Sequence, residues 1–126
     1  MQKIKFHKTS DFIINYIPFD NNKRELVHDG SNIDDIAMSY LVWQKCSNVI
    51  QVVNFCVNDQ YKNKGYGTKL LMNLIANIKI DDNIDSIELD DMTENAWNLS
   101  NNIYVKHGFV YKHCYPYPEM VLKLKN

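Results

Sequence analysis

The sequence predicts an α/β fold, and three adjacent features support that prediction. Residues 49–57 are rich in β-branched and aromatic side chains, which suits a half-buried strand. Residues 66–80 repeat apolar side chains at spacings of three and four, which indicates an amphipathic helix. Gly65 and Gly67 lie at the junction of the two segments, where the chain has to turn. Together they predict a strand, a glycine turn and a helix.

Short strands dominate the predicted N-terminal part. They are expected at residues 3–8, 11–19 and 24–28, with a turn at 20–23. In the first strand Ile4 and Phe6 should face inward by alternation. Asp29 and Gly30 then form a strong turn signal. No helical period is evident between residues 8 and 33, so we expect reduced N-terminal helices.

The next segment leads into the strand at residues 49–57. Residues 36–44 read as a strand and 45–48 as a hairpin turn, although Asp34 and Asp35 could instead cap a helix. Within residues 49–57 the apolar alternation changes phase between Val52 and Val53, as an inserted bulge residue would produce. The alternative is a strand that is buried on both faces.

Beyond the helix at 66–80, the sequence predicts a second strand, a second helix and a closing strand pair. Residues 81–85 look superficially like a calcium loop, but Ser86 stands where that loop needs glycine, so a solvated turn is expected. The strand at 86–90 should run parallel to the one at 49–57. The predicted elements that follow are a helix at about 98–107, ended by Gly108, and antiparallel strands at 109–113 and 119–125.

Composition describes an ordinary soluble chain. Its 126 residues fit one domain, with 45% hydrophobic residues, 23% charged residues and a net charge of −1. No basic patch favours nucleic acid, and no apolar run is long enough to span a membrane. Cys46, Cys56 and Cys114 form neither an even disulfide set nor a metal-binding pair, which implies a reducing compartment. A cytoplasmic location is expected; a homodimer is left open.

The glycine turn predicts an anion site. Backbone N–H groups at a helix start, with Gly65 and Gly67 nearby and Lys62 and Lys64 adding positive charge, suit a pyrophosphate. The Walker loop does not fit, because Gly67 is not followed directly by lysine. The dinucleotide fingerprint does not fit either, because Leu70 replaces its third glycine.

Residues 61–68 resemble the acetyl-coenzyme A pyrophosphate loop of the GNAT N-acetyltransferase superfamily, whose pattern is Arg/Gln-x-x-Gly-x-Gly/Ala, with Lys62 at the Arg/Gln position. Residues 104–109 resemble that family's Tyr-x-Lys-x-Gly-Phe ending. The resemblance implies a GNAT fold: a mixed, mostly antiparallel sheet that is split by a bulged central strand and flanked by helices. It also implies an acyltransferase that uses acetyl-coenzyme A and no metal.

The resemblance carries specific site residues with it. Tyr104 would be the catalytic acid that protonates the leaving thiolate, and backbone N–H groups of residues 55–57 would polarise the thioester. The expected acetyl-coenzyme A contacts are Phe55, Cys56, Val57, Lys62, Asn63, Lys64, Gly65, Tyr66, Gly67, Thr68, Asn98 and Asn101.

Carboxylates after the second strand suggest the acceptor. Asp90, Asp91 and Glu94 should make the cleft mouth acidic and bind a small cationic amine, a protein lysine or an N-terminus. The general base is not identified, since Gln51 stands where histone-acetylating relatives carry glutamate. An alternative is an inactive acyl-coenzyme A-binding module. It is favoured by Gln51, by Trp97 in place of an asparagine, and by the reduced N-terminal helices, which leave only a short wall on the acceptor side.

Overall fold

The computed structural model describes residues 3–19, 24–81, 83–92, 102–113 and 118–125. The strands are β1 (Lys5–Lys8), β2 (Ile13–Pro18), β3 (Ala37–Cys46), β4 (Val49–Val57), β5 (Ser86–Asp90), β6 (Val110–His113) and β7 (Glu119–Lys123). The helices are α1 (Ile33–Ile36), α2 (Tyr66–Lys79) and α3 (Ile103–Lys106). All these strands form one sheet in the order β1-β2-β3-β4-β5-β7-β6. Among the described strands, β4 and β5 pair in parallel and the other pairs are antiparallel, which confirms a mixed, mostly antiparallel sheet.

Strand β4 carries the predicted bulge. Its partner β3 pairs Trp43 with Val52 and Val42 with Asn54, so Val53 is the extra residue. The insertion returns Phe55 to the face of Val52, and both side chains pack against the main core. Strand β5 pairs with β4 only from Val49 to Val52 within the described residues. The sheet therefore opens after the bulge.

The main core lies between the sheet and α2. The apolar stripe of this helix is buried: Leu70, Leu71, Leu74, Ile75 and Ile78. It packs on Leu41, Ile50 and Ile87, each of which is fully buried. Burying an aliphatic side chain of this size contributes roughly 1.5–3 kcal/mol, so this contact fixes α2 and the loop that precedes it. The observed bounds of α2 agree with the predicted helix at 66–80 to within one residue.

The opposite face of the N-terminal half is covered by residues 24–36. Ile33 and Ile36 pack on Tyr16 and Tyr40. The predicted strand at 24–28 is wrong: the Asn32 side chain accepts from Val27 N at 2.9 Å and donates to the Glu25 carbonyl at 3.1 Å. A side chain thus satisfies backbone groups that a strand would have paired in a ladder.

Two further predictions about the N-terminal half need correction. Phe6 is 58% exposed rather than inward-facing, because β1 is an edge strand and packs mainly through its neighbour β2. The two readings of residues 33–46 each hold in part: Asp34 and Asp35 lie in the short helix α1, and the preferred strand follows it from Ala37 to Cys46.

The C-terminal elements follow the prediction closely. Strands β6 and β7 form the expected antiparallel pair. Gly108 adopts the predicted left-handed conformation after α3, with φ of 95°. In the described residues α3 begins at Ile103, while residues 98–101 of the predicted helix lie outside them.

Candidate active site

A cavity of about 540 Å³ lies where β4 separates from β5. Its wall includes Val52, Val53, Asn54, Phe55, Glu88, Asp90, Tyr104 and Glu119. These residues come from four separate elements of the chain, and the bulge at Val53 brings them together by ending the β4–β5 pairing. The cavity gives the molecule a place where two reactants can meet.

The loop from β4 to α2 is built from local contacts. Asn58 caps a 3-10 turn, Asp59–Tyr61, by accepting from Gln60 N at 3.2 Å. Lys62 Nζ lies 3.0 Å from an Asp59 carboxylate oxygen, and Lys64 Nζ lies 5.7 Å from the centre of the Tyr61 ring. Both lysines are solvent-exposed, so they attract an anion through their surface charge and not through a buried ion pair.

The first turn of α2 ends this loop. Asn63 and Gly65 are left-handed, with φ of 64° and 83°, and Gly65 is the N-cap residue of α2 without any side-chain cap. Tyr66 packs edge-on against the Tyr61 ring at 6.2 Å, and Thr68 is partly buried in the first turn. The predicted loop residues therefore lie at the helix start, where the first backbone N–H groups of a helix favour an anion.

The two glycines have different roles, which corrects the sequence-based interpretation. At Gly65 a side chain would meet open space, so the positive φ is what favours glycine there. At Gly67 an added Cβ would lie 3.1 Å from Val57 Cγ2 and 3.3 Å from Phe55 Cζ. Gly67 is buried and lets α2 pack closely on β4, so packing accounts for glycine at this position, and its contact with the coenzyme stays a prediction.

The residues predicted at the thioester lie on β4 just beyond the bulge. Phe55 and Val57 face α2, whereas Cys56 lies on the other face beside Tyr40. On the β3 side the strand remains paired as far as Val57. On the β5 side no described strand pairs with residues 53–57, which leaves that edge of β4 available.

Tyr104 lies at the junction of the cavity and the core. Its side chain is 5% exposed and contacts Phe55 and Phe109, with ring centroids 6.1 and 5.9 Å away. The residue lines the cavity, and within the described residues its hydrogen bond to Asn102 is made by the backbone N–H and not by the hydroxyl. Burial, with a smaller contribution from the Asp91 charge, raises the pKa of Tyr104 well above its usual value. The hydroxyl is therefore protonated and available as a donor.

Asp91 does not lie at an acidic mouth, as the sequence suggested. It is 1% exposed, and its Oδ2 accepts from Asn102 Nδ2 at 2.6 Å and from the Tyr111 hydroxyl at 3.0 Å. A carboxylate held in this way is not accessible to an acceptor. Its assignment as a substrate-binding residue is therefore wrong.

Asp90 does line the cavity, together with two glutamates that the sequence did not single out. Glu119 is the cross-strand partner of Asp90, and Glu88 lies two residues earlier on the same face of β5. Lys112 Nζ lies 3.4 Å from Glu88 and 3.5 Å from Glu119, and the nearby Glu88 raises the pKa of Lys112. Glu88 could have been predicted beside Asp90 from the alternation of side chains along β5. Glu119 could not, because its position depends on the pairing of β5 with β7.

Some predictions lie outside the described residues: Glu94, Trp97, Asn98, Asn101 and Cys114. Within the described residues, no group of three or more His, Cys, Asp or Glu side chains is arranged to hold a metal ion. None of the helices described has both the length and the apolar character that crossing a membrane requires.

Solved structures share this architecture. The ribosomal-protein-S18-alanine N-acetyltransferase from Escherichia coli matches with a TM-score of 0.68 at 16% identity, covering 93% of this chain and 72% of that one. The PaiA N-acetyltransferase from Thermoplasma acidophilum, in complex with coenzyme A, matches at 0.63 and 18%, covering 90% and 61%. An acetyltransferase of the GNAT family from Staphylococcus aureus Mu50 matches at 0.60 and 18%, covering 90% and 68%. No family model and no curated protein matches the sequence.

The chain therefore has the fold of the GNAT N-acetyltransferases. It is shorter than these neighbours, spanning 61 to 72% of their lengths.

Proposed function

We propose that this protein is an N-acetyltransferase that transfers the acetyl group of acetyl-coenzyme A to a primary amine. The observation that carries the proposal is the cavity at the β4 bulge, with Tyr104 in its wall, whose hydroxyl bonds to none of the described residues. The structural neighbours include named N-acetyltransferases, one of them in complex with coenzyme A. The fold and the cavity together support a transfer enzyme.

On one side of the cavity, the loop and the start of α2 would hold the coenzyme. The 14-residue helix α2 presents uncapped N–H groups at its first turn, and the adjacent Gly65 is exposed. A helix start of this kind attracts phosphate, and Lys62 and Lys64 add positive charge beside it. On the β5 side, residues 53–57 of β4 pair with no strand that the structure describes, and they offer backbone groups to an extended ligand.

On the other side, carboxylates would bind the acceptor. Glu88, Asp90 and Glu119 line the cavity, and within the described residues Lys112 is the cation that bridges two of them. Three negative charges with one positive charge leave an excess that favours a cationic acceptor. We therefore propose that the acceptor is a small cationic amine, a protein lysine or a protein N-terminus, all of which carry an ammonium group.

The chain's residues can serve each proton movement in the transfer. The acceptor ammonium loses one proton to solvent along the carboxylate-lined route, and the neutral nitrogen then forms a bond to the acetyl carbon. The nitrogen releases a second proton to solvent as the amide forms. When the carbon–sulfur bond breaks, the departing thiolate takes a proton from the Tyr104 hydroxyl. The phenol recovers a proton from solvent after product release, and no oxidant or metal is required.

Two measurements test this function. Millimolar acetyl-coenzyme A should raise the melting temperature, since a ligand at about a hundred times its dissociation constant stabilises the fold by roughly 2.7 kcal/mol. A panel of cationic, neutral and anionic amines should then release free thiol, with a cationic amine as the best acceptor. No thermal shift with acetyl-coenzyme A would overturn the proposal. An anionic best acceptor would overturn the cationic assignment alone.

A second candidate is an acyl-coenzyme A-binding module without turnover. Gln51 favours it, because this residue on β4 accepts from Gln44 Nε2 at 3.0 Å and cannot act as a base. The module would show the thermal shift but release no thiol with any amine. For either function we propose a cytoplasmic location, which the free thiols of Cys46 and Cys56 support.

A further inference from the structure

A buried polar network surrounds the start of α3. Asp91 and Asn102 are each 1% exposed, and Tyr111 completes the group. Asn102 Nδ2 donates to Asp91 Oδ2 at 2.6 Å and lies 3.2 Å from the Tyr111 oxygen, while the Tyr111 hydroxyl donates to the same Asp91 oxygen at 3.0 Å. Two side chains from separate segments, Asn102 and Tyr111, thus converge on one Asp91 carboxylate oxygen.

The network leads directly to Tyr104 through the backbone. Asn102 Oδ1 accepts from Tyr104 N at 2.9 Å and from Val105 N at 3.2 Å, so Asn102 is the N-cap of α3. With Nδ2 held by Asp91, the amide of Asn102 has one orientation in which its oxygen can cap the helix. Asn102 therefore links the Asp91 carboxylate to the first turn of α3, which carries Tyr104.

Further contacts fix Asp91 itself. Its backbone N–H donates to the Pro118 carbonyl at 2.7 Å, just before β7 begins, and Asp91 directly follows the last residue of β5. A helix of four residues has little stability alone, so its position depends on such contacts. The network ties α3 to β5, β6 and β7, which are the strands beside the cavity.

We propose that Asp91 is a positioning residue for the transfer reaction, acting through Asn102 to hold the Tyr104 hydroxyl in the cavity wall. This inference rests on the proposed function. Displacing a catalytic group by about 1 Å can lower a rate by roughly 10²-fold, so loss of this support should appear in turnover. The Asp91 carboxylate contacts neither reactant, and acetyl-coenzyme A affinity should be unchanged.

A double-mutant cycle tests the inference. Asp91→Ala should lower kcat by about 10- to 100-fold in the otherwise unchanged protein. In the Tyr104→Phe background it should add less than about twofold, because its effect passes through the lost hydroxyl. Equal fold-losses in both backgrounds would overturn the inference, as would a rise in the dissociation constant of acetyl-coenzyme A that accounts for the loss.

Asn15→Ala is the matched control. Asn15 is also 1% exposed, and its Oδ1 accepts from Trp43 Nε1 at 3.1 Å. It lies on β2, whereas the Asp91 network involves β6 at the other end of the sheet. Measured where the variants are fully folded, it should leave kcat within about twofold, since additivity holds for distant sites. If Asn15→Ala lowers kcat as much as Asp91→Ala does, general destabilisation is the cause and the inference is wrong.

A readout independent of turnover separates this inference from the proposed function. Exchange of the Tyr104 and Val105 amide protons should accelerate in Asp91→Ala and remain unchanged in Asn15→Ala. Where Asp91→Ala does not fold, Tyr111→Phe removes the hydroxyl that bonds to Asp91 and Asn102 and should accelerate the same amides. Unchanged exchange would overturn the inference. An unreactive wild-type protein, with accelerated exchange in Asp91→Ala, would instead overturn the proposed function and leave standing only that Asp91 supports the start of α3.

Discussion

The two sides of the cavity are built in different ways. The side proposed for the coenzyme, called the coenzyme side, consists mainly of backbone groups, from residues 53–57, which pair with no described strand on the β5 side, to the start of α2. The acceptor side consists of side chains from β5 and β7, with Lys112 contributed by β6. A ligand shared by many enzymes can be bound by backbone, whereas a specific acceptor needs side chains that differ between proteins. Experiments on one side should therefore leave the other largely unaffected.

The largest expected effect comes from Tyr104, which lies between the two sides. Tyr104→Phe should lower kcat by about 10²-fold or more, the loss expected for a general acid, while acetyl-coenzyme A affinity is unchanged. Steady-state rates with a free-thiol readout and a separate binding titration measure the two quantities. Tyr40→Phe is the control, since it removes a buried hydroxyl that bonds Asp34 at 2.8 Å on the other face of the sheet. A parallel loss of binding and rate would make Tyr104 structural.

Gly67 tests whether the coenzyme side depends on packing. Gly67→Val should lower the free energy of unfolding by about 1–3 kcal/mol, because its side chain would overlap Val57 and Phe55. Denaturant unfolding measures the change, and coenzyme binding should weaken because the start of α2 moves. A variant of unaltered stability that no longer binds acetyl-coenzyme A would instead support direct contact of Gly67 with phosphate.

The acceptor side can be tested by removing charge. The triple variant Glu88→Gln, Asp90→Asn, Glu119→Gln should raise the KM for a cationic amine by about tenfold at low salt, and the difference should shrink at high salt. Its KM for acetyl-coenzyme A should not change. Asp11→Asn, at the opposite edge of the sheet, controls for net charge. Equal changes in KM for cationic and neutral amines would contradict the charge-based interpretation.

A smaller effect is expected at Gly65. Gly65→Ala should destabilise the fold by about 1 kcal/mol, because alanine disfavours the left-handed backbone and no neighbour is displaced. Gly65→Asn should cost less, since asparagine tolerates this conformation. Comparing the unfolding midpoints of the two variants measures the difference. Identical losses would point to a steric cause instead.

The smallest expected effect near neutral pH is that of the buried tyrosine hydroxyls on the free energy of unfolding. Burial is the main cause that raises the pKa values of Tyr16, Tyr40 and Tyr104. A phenol with a raised folded-state pKa contributes stability that is complete below about pH 10 and is lost as pH rises further. Unfolding free energies should thus be unaffected by these groups from pH 7 to 9 and fall above 10. The Tyr104→Phe variant should show a shallower alkaline decline; an identical decline would contradict burial of this phenol.

The same difference between the two sides explains what the sequence could predict. The β4 strand, the bulge and α2 are local patterns within some thirty residues, and each was predicted to within one or two positions. Asp91 was misplaced because its burial depends on Asn102 and Tyr111, which the chain brings back 11 and 20 residues later. Glu119 was missed because its proximity to Asp90 exists only through strand pairing.

Gly67 and residues 24–36 show a further limit of local reasoning. A glycine near a helix start suggests access for an anion, but the need for close packing on Phe55 and Val57 appears only once α2 lies on β4. Likewise, residues 24–28 have strand-like composition, yet Asn32 satisfies their backbone groups and no ladder forms. In both cases tertiary contacts decided between two locally acceptable outcomes.

The bulge at Val53 has a consequence for how this protein can vary. The opening in the sheet depends on the number of residues between Val52 and Phe55, not on which side chains they carry, and Val53 itself is 46% exposed. Substitutions at Val53 should therefore be well tolerated. Removing a single codon there would shift every later residue of β4 to the opposite face and let β5 pair along its full length. Deleting this residue should thus disturb the fold far more than substituting it.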